Sequence, residues 1–141
     1  MLLLLLAGCG AGDTGNPTTT SEPVVEFGDV TLIRSGGFAG FTTTVTVHQD
    51  GTVIVVENSA APRESVLPEA ELHRLHGMVG SPEFAALLDT YVPPEGVCCD
   101  FFFYEVTAEV GHKTIKSTTA DTVETPPILQ QVIDLLSGLM P

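Results

Sequence analysis

Two runs of β-branched residues separated by a turn signal constrain the fold of this chain more than any other feature. The residues from Phe41 to His48 and from Thr52 to Glu57 are rich in Thr, Val and Ile, which favour extended strands. Asp50-Gly51 lies between them, and this dipeptide predicts a two-residue type I′ turn. The sequence therefore predicts an antiparallel hairpin at the centre of the fold.

A two-residue loop also fixes which residues of this hairpin face each other. Val47 then lies opposite Ile54, and Val45 lies opposite Val56, so that one side of the hairpin is wholly aliphatic. We expect that side to face the core.

The rest of the chain predicts one more hairpin and an additional strand. The predicted strands are Asp29–Ile33, Phe41–His48, Thr52–Glu57, Phe101–Glu109 and His112–Ser117. A turn near Val110-Gly111 pairs Val106 with Ile115 and Glu105 with Lys116, the second as a cross-strand ion pair. Asn58–Leu67 and Asp89–Asp100 are predicted as connections.

Three helices follow from apolar residues at helical spacing. The first begins at Pro68 and ends at Gly80, the second is capped by Ser81, and Thr125 caps the last. Their apolar sides are predicted to be Leu72, Leu75 and Val79; Phe84, Leu87 and Leu88; and Ile128, Val132, Leu135, Leu136 and Leu139. Strands and helices in this order predict an α+β fold. A small antiparallel sheet, made of two hairpins and a first strand, is packed on one face by two short helices and a C-terminal helix.

A glycine-rich stretch joins the first two predicted strands. Ser35, Gly36, Gly37, Phe38, Ala39 and Gly40 hold one large apolar side chain among three glycines. Glycine serves where the backbone needs positive φ or another surface comes close. Two interpretations stay open: a bulge or turn whose Phe38 packs inward, and a contact loop that presents Phe38 to a partner.

The N-terminus has the pattern of a bacterial lipoprotein. Leucines lead into Leu6-Ala7-Gly8-Cys9, which predicts a signal peptide over residues 1–8 and lipidation, as by palmitate, at Cys9. The leader lacks a positive n-region, so we expect the true start to lie upstream or to have been trimmed. Gly10 to Pro23 is polar and flexible in composition. We therefore predict a tether over residues 9–27 and a single folded domain over residues 28–141.

The net charge of −13 limits the classes of partner. Eighteen Asp and Glu residues stand against five Lys and Arg. Such a surface repels nucleic acid phosphates and anionic lipid headgroups. We expect no nucleic acid partner, and contact with the membrane through the lipid anchor only, on the extracytoplasmic face of the cell membrane.

Two adjacent cysteines, Cys98 and Cys99, remain after Cys9 is assigned to the anchor. An exported location permits disulfides. A strained vicinal ring, a pair between molecules and free thiols are all compatible with the sequence.

The residues give no pattern for catalysis or a cofactor. His73 and His76 share a predicted helix face, but a third ligand at suitable spacing is missing, so a solvated helix face is expected. His48 and His112 lie at hairpin ends. Ser35 is not in a Gly-x-Ser-x-Gly elbow. We therefore predict no enzyme activity, no metal, no cofactor and no small-molecule substrate.

The stretch from Val30 to Gly40 resembles the opening of the emfourin family, the protealysin inhibitors. Its Ser-Gly-Gly-Phe-Ala-Gly run is the specific part. Weaker matches are the Asp50-Gly51 turn, the Leu72/Leu75 helix, Ser81-Pro82-Glu83-Phe84, Phe103–Thr107 and Pro126-Pro127-Ile128 with Val132–Leu136. The chain departs from the family in its leader and tether, its cysteine pair and the threonine run after the motif.

The resemblance implies an inhibitor of thermolysin-like zinc metallopeptidases. Such enzymes cut before large hydrophobic residues, so their cleft accepts a side chain like that of Phe38. The alternative contact region is Tyr91 to Gly96. The alternative function is a surface lipoprotein that acts as a protein-binding or assembly module without inhibiting a peptidase.

Overall fold

The computed structural model of the protein describes residues 24–92 and 100–141. Four strands come first, then two helices, a second pair of strands and a last helix. The strands are β1 (Phe27–Gly36), β2 (Phe41–Val47), β3 (Thr52–Glu57), β4 (Arg63–Val66), β5 (Phe102–Val110) and β6 (Lys113–Ala120). The helices are α1 (Glu69–Val79), α2 (Pro82–Ala85) and α3 (Pro127–Ser137).

The six strands form one antiparallel sheet in the order β4-β3-β2-β1-β5-β6. β1 is central because it pairs with β2 on one side and with β5 on the other. The chain crosses from edge strand β4 to β5 through α1 and α2. The predicted α+β class is therefore confirmed, whereas the sheet holds one more strand than expected.

One hydrophobic core lies between the sheet and the helices. Alternate residues of the central strands, such as Val30 and Leu32 of β1, are buried together with Leu75 of α1 and Phe84 of α2. The opposite face of the sheet carries polar and half-buried residues, as expected for an antiparallel sheet with one solvated side. Among the described residues, no helix has the length and apolar character needed to cross a membrane.

The predicted register of the β2–β3 hairpin is wrong by one residue. Val47 pairs with Val53 and Val45 with Val55, so Ile54 turns to the open face. A type I′ turn needs positive φ at both loop residues, but of the Asp50-Gly51 pair only Gly51 has it, at 89°. The loop therefore has three residues, Gln49, Asp50 and Gly51, and the last of them has the left-handed φ.

The carboxylate of Asp50 explains why this longer loop forms. Its Oδ1 accepts the N–H of Thr52 at 2.9 Å, and this bond is the main reason that the pKa of Asp50 is lowered. The Gly51 N–H donates to the His48 carbonyl at 2.9 Å. One extra loop residue moves every side chain of β3 to the other face.

The predicted pairing of Val106 with Ile115 is also wrong, by two residues. Ala108 faces Ile115 and Val106 faces Ser117, because Gly111, at φ 59°, is the first residue of a two-residue loop. A shift of two residues keeps each side chain on its face. The predicted ion pair is therefore still present, with Lys116 Nζ 2.8 Å from Glu105 Oε2 as a diagonal contact.

Three further local predictions need correction. The predicted connection Asn58–Leu67 contains β4, an exposed, charged edge strand that shows no apolar alternation. Leu88 is 62% exposed, because α2 ends at Ala85 before helical spacing reaches it. Pro126 occupies the N-cap of α3, while the hydroxyl of Thr125 bonds that of buried Thr119 at 2.8 Å.

The helix signals were more reliable than the loop signals. The helix predicted between Pro68 and Gly80 is confirmed, with Leu75 and Val79 buried. Ser81 caps α2 by accepting the Phe84 N–H at 3.2 Å. On α3 the buried residues are Leu129, Val132, Ile133 and Leu136, whereas Ile128, Leu135 and Leu139 are only partly buried.

Candidate functional site

The glycine-rich stretch forms the turn between β1 and β2. Strand β1 continues through Ser35 to Gly36, so the turn itself is Gly37–Gly40. The N–H of Gly40 donates to the Gly37 carbonyl at 3.0 Å and closes the turn. Phe38 lies at its tip and is 98% exposed. Of the two interpretations, the one in which Phe38 packs inward is therefore wrong, and the ring projects into solvent.

The start of β5 explains two of the three glycines. A Cβ on Gly36 would lie 2.4 Å from the carbonyl oxygen of Phe101, and Gly36 has φ 120°. The N–H of Gly37 donates to that same oxygen at 3.1 Å, and a Cβ on Gly37 would meet the Phe102 ring at 3.0 Å. Gly40 has free space around it and needs glycine for its φ of 64°. The base of the turn is thus packed directly onto β5.

Aromatic side chains of β5 and its preceding residue hold this base in place. Phe101 is 9% exposed and contacts Phe103 edge to face, with ring centroids 5.0 Å apart. The guanidinium of Arg34 lies over the Phe102 ring, 5.0 Å from its centroid. Phe41, the first residue of β2, is half exposed. One buried ring, that of Phe101, and the half-buried rings of Phe102 and Phe103 therefore lie at the base of the turn, while Phe38 and part of Phe41 are exposed.

A mixed polar cavity lies beside the turn on the helix side of the sheet. It has a volume of about 330 Å³ and is lined by Arg34, Tyr104, Asp121 and Asp134, among others. Burial raises the pKa of Tyr104, and the carboxylate of Asp121 adds to this. Asp121 also accepts the N–H of Phe102 through Oδ2 at 3.2 Å. Residues of β1, β5 and α3 therefore line one cavity.

A second groove lies on the open face of the sheet, next to Gly40. It measures about 420 Å³ and lies between the Gly37–Gly40 turn and the Asn58-Ser59 turn; its lining is Gly40, Thr42, Thr44, Val56, Asn58 and Ser59. The sequence predicts Asn58 only as the start of a connection, and no sequence pattern assigns a role to Phe41. The Asn-Ser pair after a strand is a signal for a tight turn, because Asn tolerates positive φ.

Most of the other predicted site residues lie outside the part of the chain that the structure describes. Cys9, Cys98 and Cys99 lie outside the described residues, as does Pro93–Gly96 of the alternative contact region. Tyr91 is half-buried and its hydroxyl accepts the Leu88 N–H at 3.0 Å.

The two histidines of α1 make contacts with different residues. His73 Nε2 lies 4.0 Å from Glu69 Oε1, whereas His76 stacks on Phe27 with ring centroids 4.4 Å apart. Burial, followed by the charge of His73, lowers the pKa of His76. In the described ranges, no group of three or more His, Cys, Asp or Glu side chains is placed to hold a metal ion.

His48 forms an ion pair at the opposite end of the sheet from Phe38. Its Nδ1 lies 2.9 Å from Asp29 Oδ1, and this hydrogen bond raises the pKa of His48. A raised folded pKa adds stability below the unfolded pKa, about 6.5, and that stability is lost as pH rises through the folded value.

We expect Asp29→Asn to lower stability near pH 5.5 and to have little effect near pH 9. NMR titration of His48 in the unchanged protein and in the variant checks the direction. An unchanged His48 pKa in the variant would contradict it.

Neither the scan against protein-family models nor the search of curated proteins found a match to this chain.

Proposed function

We propose that the protein is an inhibitor of thermolysin-like zinc metallopeptidases, and that Phe38 is the residue that enters the target's cleft. The observation that carries the proposal is the 98% exposure of Phe38 on a turn whose base is fixed by Phe101 and Phe102. Backbone hydrogen bonds already hold the turn in the free protein, so little backbone entropy is lost when a pocket closes around the ring. The Ser-Gly-Gly-Phe-Ala-Gly resemblance supplies the class of target.

The glycines of the turn suit close approach to another protein. Ala39 and Gly40 add almost no side-chain bulk next to Phe38, so the backbone can lie against a cleft wall. The segment from Ser35 to Val47 carries no ionisable side chain. In this proposal the protein is a binding partner of the enzyme and has no catalytic role of its own.

The direction of β1 suits an anchor at Cys9. β1 begins at Phe27, three residues after the first described residue, and ends at Gly36 beside the turn. Its ten residues span about 33 Å at ~3.3 Å per residue. We propose that the lipidated N-terminus holds the protein at the extracytoplasmic face of the cell membrane, with Phe38 at the far end of the sheet. Intact-mass measurement on protein extracted from its native host tests the anchor: an unmodified Met1 start contradicts it.

A titration tests the function itself. The full chain, solubilised in mild detergent, is added to thermolysin and to a metallopeptidase from the same host. We expect hydrolysis of a peptide substrate to fall with increasing inhibitor. Binding without inhibition favours the alternative, a protein-binding module, because the same exposed Phe38 serves both functions. Absence of binding to either enzyme contradicts the proposal.

A further inference from the structure

The end of the sheet that presents Phe38 carries a second strained turn. Asn58 and Ser59 have φ of 45° and 62°, and the N–H of Ala60 donates to the Glu57 carbonyl at 2.7 Å. Positive φ at two successive residues is the geometry of a type I′ turn, in which Asn is common but Ser is not. Asp100, which precedes Phe101, is the remaining non-glycine residue with positive φ in the described ranges. All the non-glycine residues with positive φ in the described ranges therefore lie at the end of the sheet that carries Phe38.

Hydrogen bonds join this second turn to the strand that follows Phe38. The Asn58 side-chain Oδ1 accepts the N–H of Thr42 at 2.8 Å, and the Asn58 N–H donates to the Thr42 carbonyl at 2.8 Å. The polar groove of about 420 Å³ lies between the two turns. The two turns and the groove thus form one connected, fixed surface.

This surface has no charged side chains, although the chain as a whole is strongly acidic. Neither Ser35–Val47 nor Asn58–Pro62 contains an ionisable residue, whereas the chain has a net charge of −13. Asn58, Ser59, Ala60, Ala61 and Pro62 are all exposed. Depletion of charge and the presence of aromatic rings distinguish the centre of a protein–protein interface from ordinary surface.

We propose that the Asn58–Pro62 loop and its groove are a second contact region for the same peptidase that receives Phe38. This inference rests on the proposed function. The occupant of the groove is an uncharged polar segment of the wall of the enzyme's cleft. The Thr42, Thr44 and Ser59 hydroxyls offer hydrogen bonds to that segment, and Val56 forms the apolar floor. A charged partner segment does not fit, because the groove offers no countercharge and would leave the charge desolvated.

A pair of charge-adding variants tests this inference with the full chain and thermolysin. Ala60→Glu places one carboxylate in the proposed contact, and Gln49→Glu places one in the loop at the other end of the β2–β3 strand pair. Both residues are exposed, so both variants are expected to fold. We expect Ala60→Glu to weaken inhibition by about 30-fold or more and Gln49→Glu by less than about 2-fold.

Ser59→Gly provides a variant whose effect on binding is not due to loss of folding. Glycine adopts positive φ without strain, so we expect the unfolding midpoint to stay the same or rise. Loss of the hydroxyl is expected to weaken inhibition by about 3-fold.

The outcomes separate the inference from the proposed function. Normal inhibition by both Ala60→Glu and Ser59→Gly overturns the second contact and leaves the role of Phe38 intact. Weak inhibition by Ala60→Glu together with normal inhibition by Phe38→Ala supports the groove and overturns Phe38 as the anchor. Failure of the unchanged chain to bind thermolysin or the host enzyme overturns both.

Discussion

Replacement of Phe38 with alanine is expected to weaken inhibition of the target peptidase by ~2 kcal/mol or more, about 30-fold. The ring is 98% exposed, so in the free protein it stabilises nothing. In the complex a filled apolar pocket would lose the whole ring, and truncation of a central aromatic anchor has effects of this size. The change is expected mainly in the dissociation rate.

The same variant is expected to leave folding unchanged. A side chain that makes no contact with the core changes the unfolding free energy by less than ~0.5 kcal/mol. Leu88→Ala is the matched control, because Leu88 is also a large exposed apolar residue, at 62%, outside the turn. A folded Phe38→Ala protein that inhibits as well as the Leu88→Ala protein would show that the anchor lies elsewhere.

Gly36→Ala is expected to destabilise the protein by about 3–5 kcal/mol. Two effects add: φ of 120° strains any residue with a Cβ, and that Cβ would lie 2.4 Å from the backbone oxygen of Phe101. The two nearest atoms, the Phe101 oxygen and the Phe102 Cα, both belong to the backbone, so β1 or β5 has to move. Urea unfolding followed by circular dichroism measures the change.

Two other glycines serve as controls for this prediction. Gly40→Ala meets no atom within 4 Å and is expected to lose only ~1–2 kcal/mol from its φ of 64°. Gly77 lies on the exposed side of α1 with free space around it. Gly77→Ala is therefore expected to add up to about 1 kcal/mol of stability. Equal unfolding midpoints for the Gly36 and Gly40 variants would contradict the packing of the turn on β5.

Features that depend on neighbouring residues in the chain were well predicted. The helix between Pro68 and Gly80 and the Ser81 cap follow from local hydrogen bonding and apolar spacing, and both are confirmed. The bounds of β3 were also correct. The two hairpin registers were not, because the length of each loop decides its register. In the Asp50-Gly51 turn, that length depends on a hydrogen bond that the Thr52 N–H donates to the Asp50 carboxylate.

The sequence by itself marked the Ser35–Gly40 stretch as a place where backbone comes close to something, since glycines are needed there. It left both the neighbour and the direction of Phe38 undecided. The tertiary structure decided both, because Gly36 and Gly37 meet Phe101 and Phe102, residues that are distant in sequence. With β5 occupying the space beneath the turn, the Phe38 ring projects into solvent. Likewise, the groove exists because the Asn58-Ser59 turn lies beside Thr42, and the hydrogen bond from the Thr42 N–H to Asn58 Oδ1 joins residues that are 16 apart in sequence.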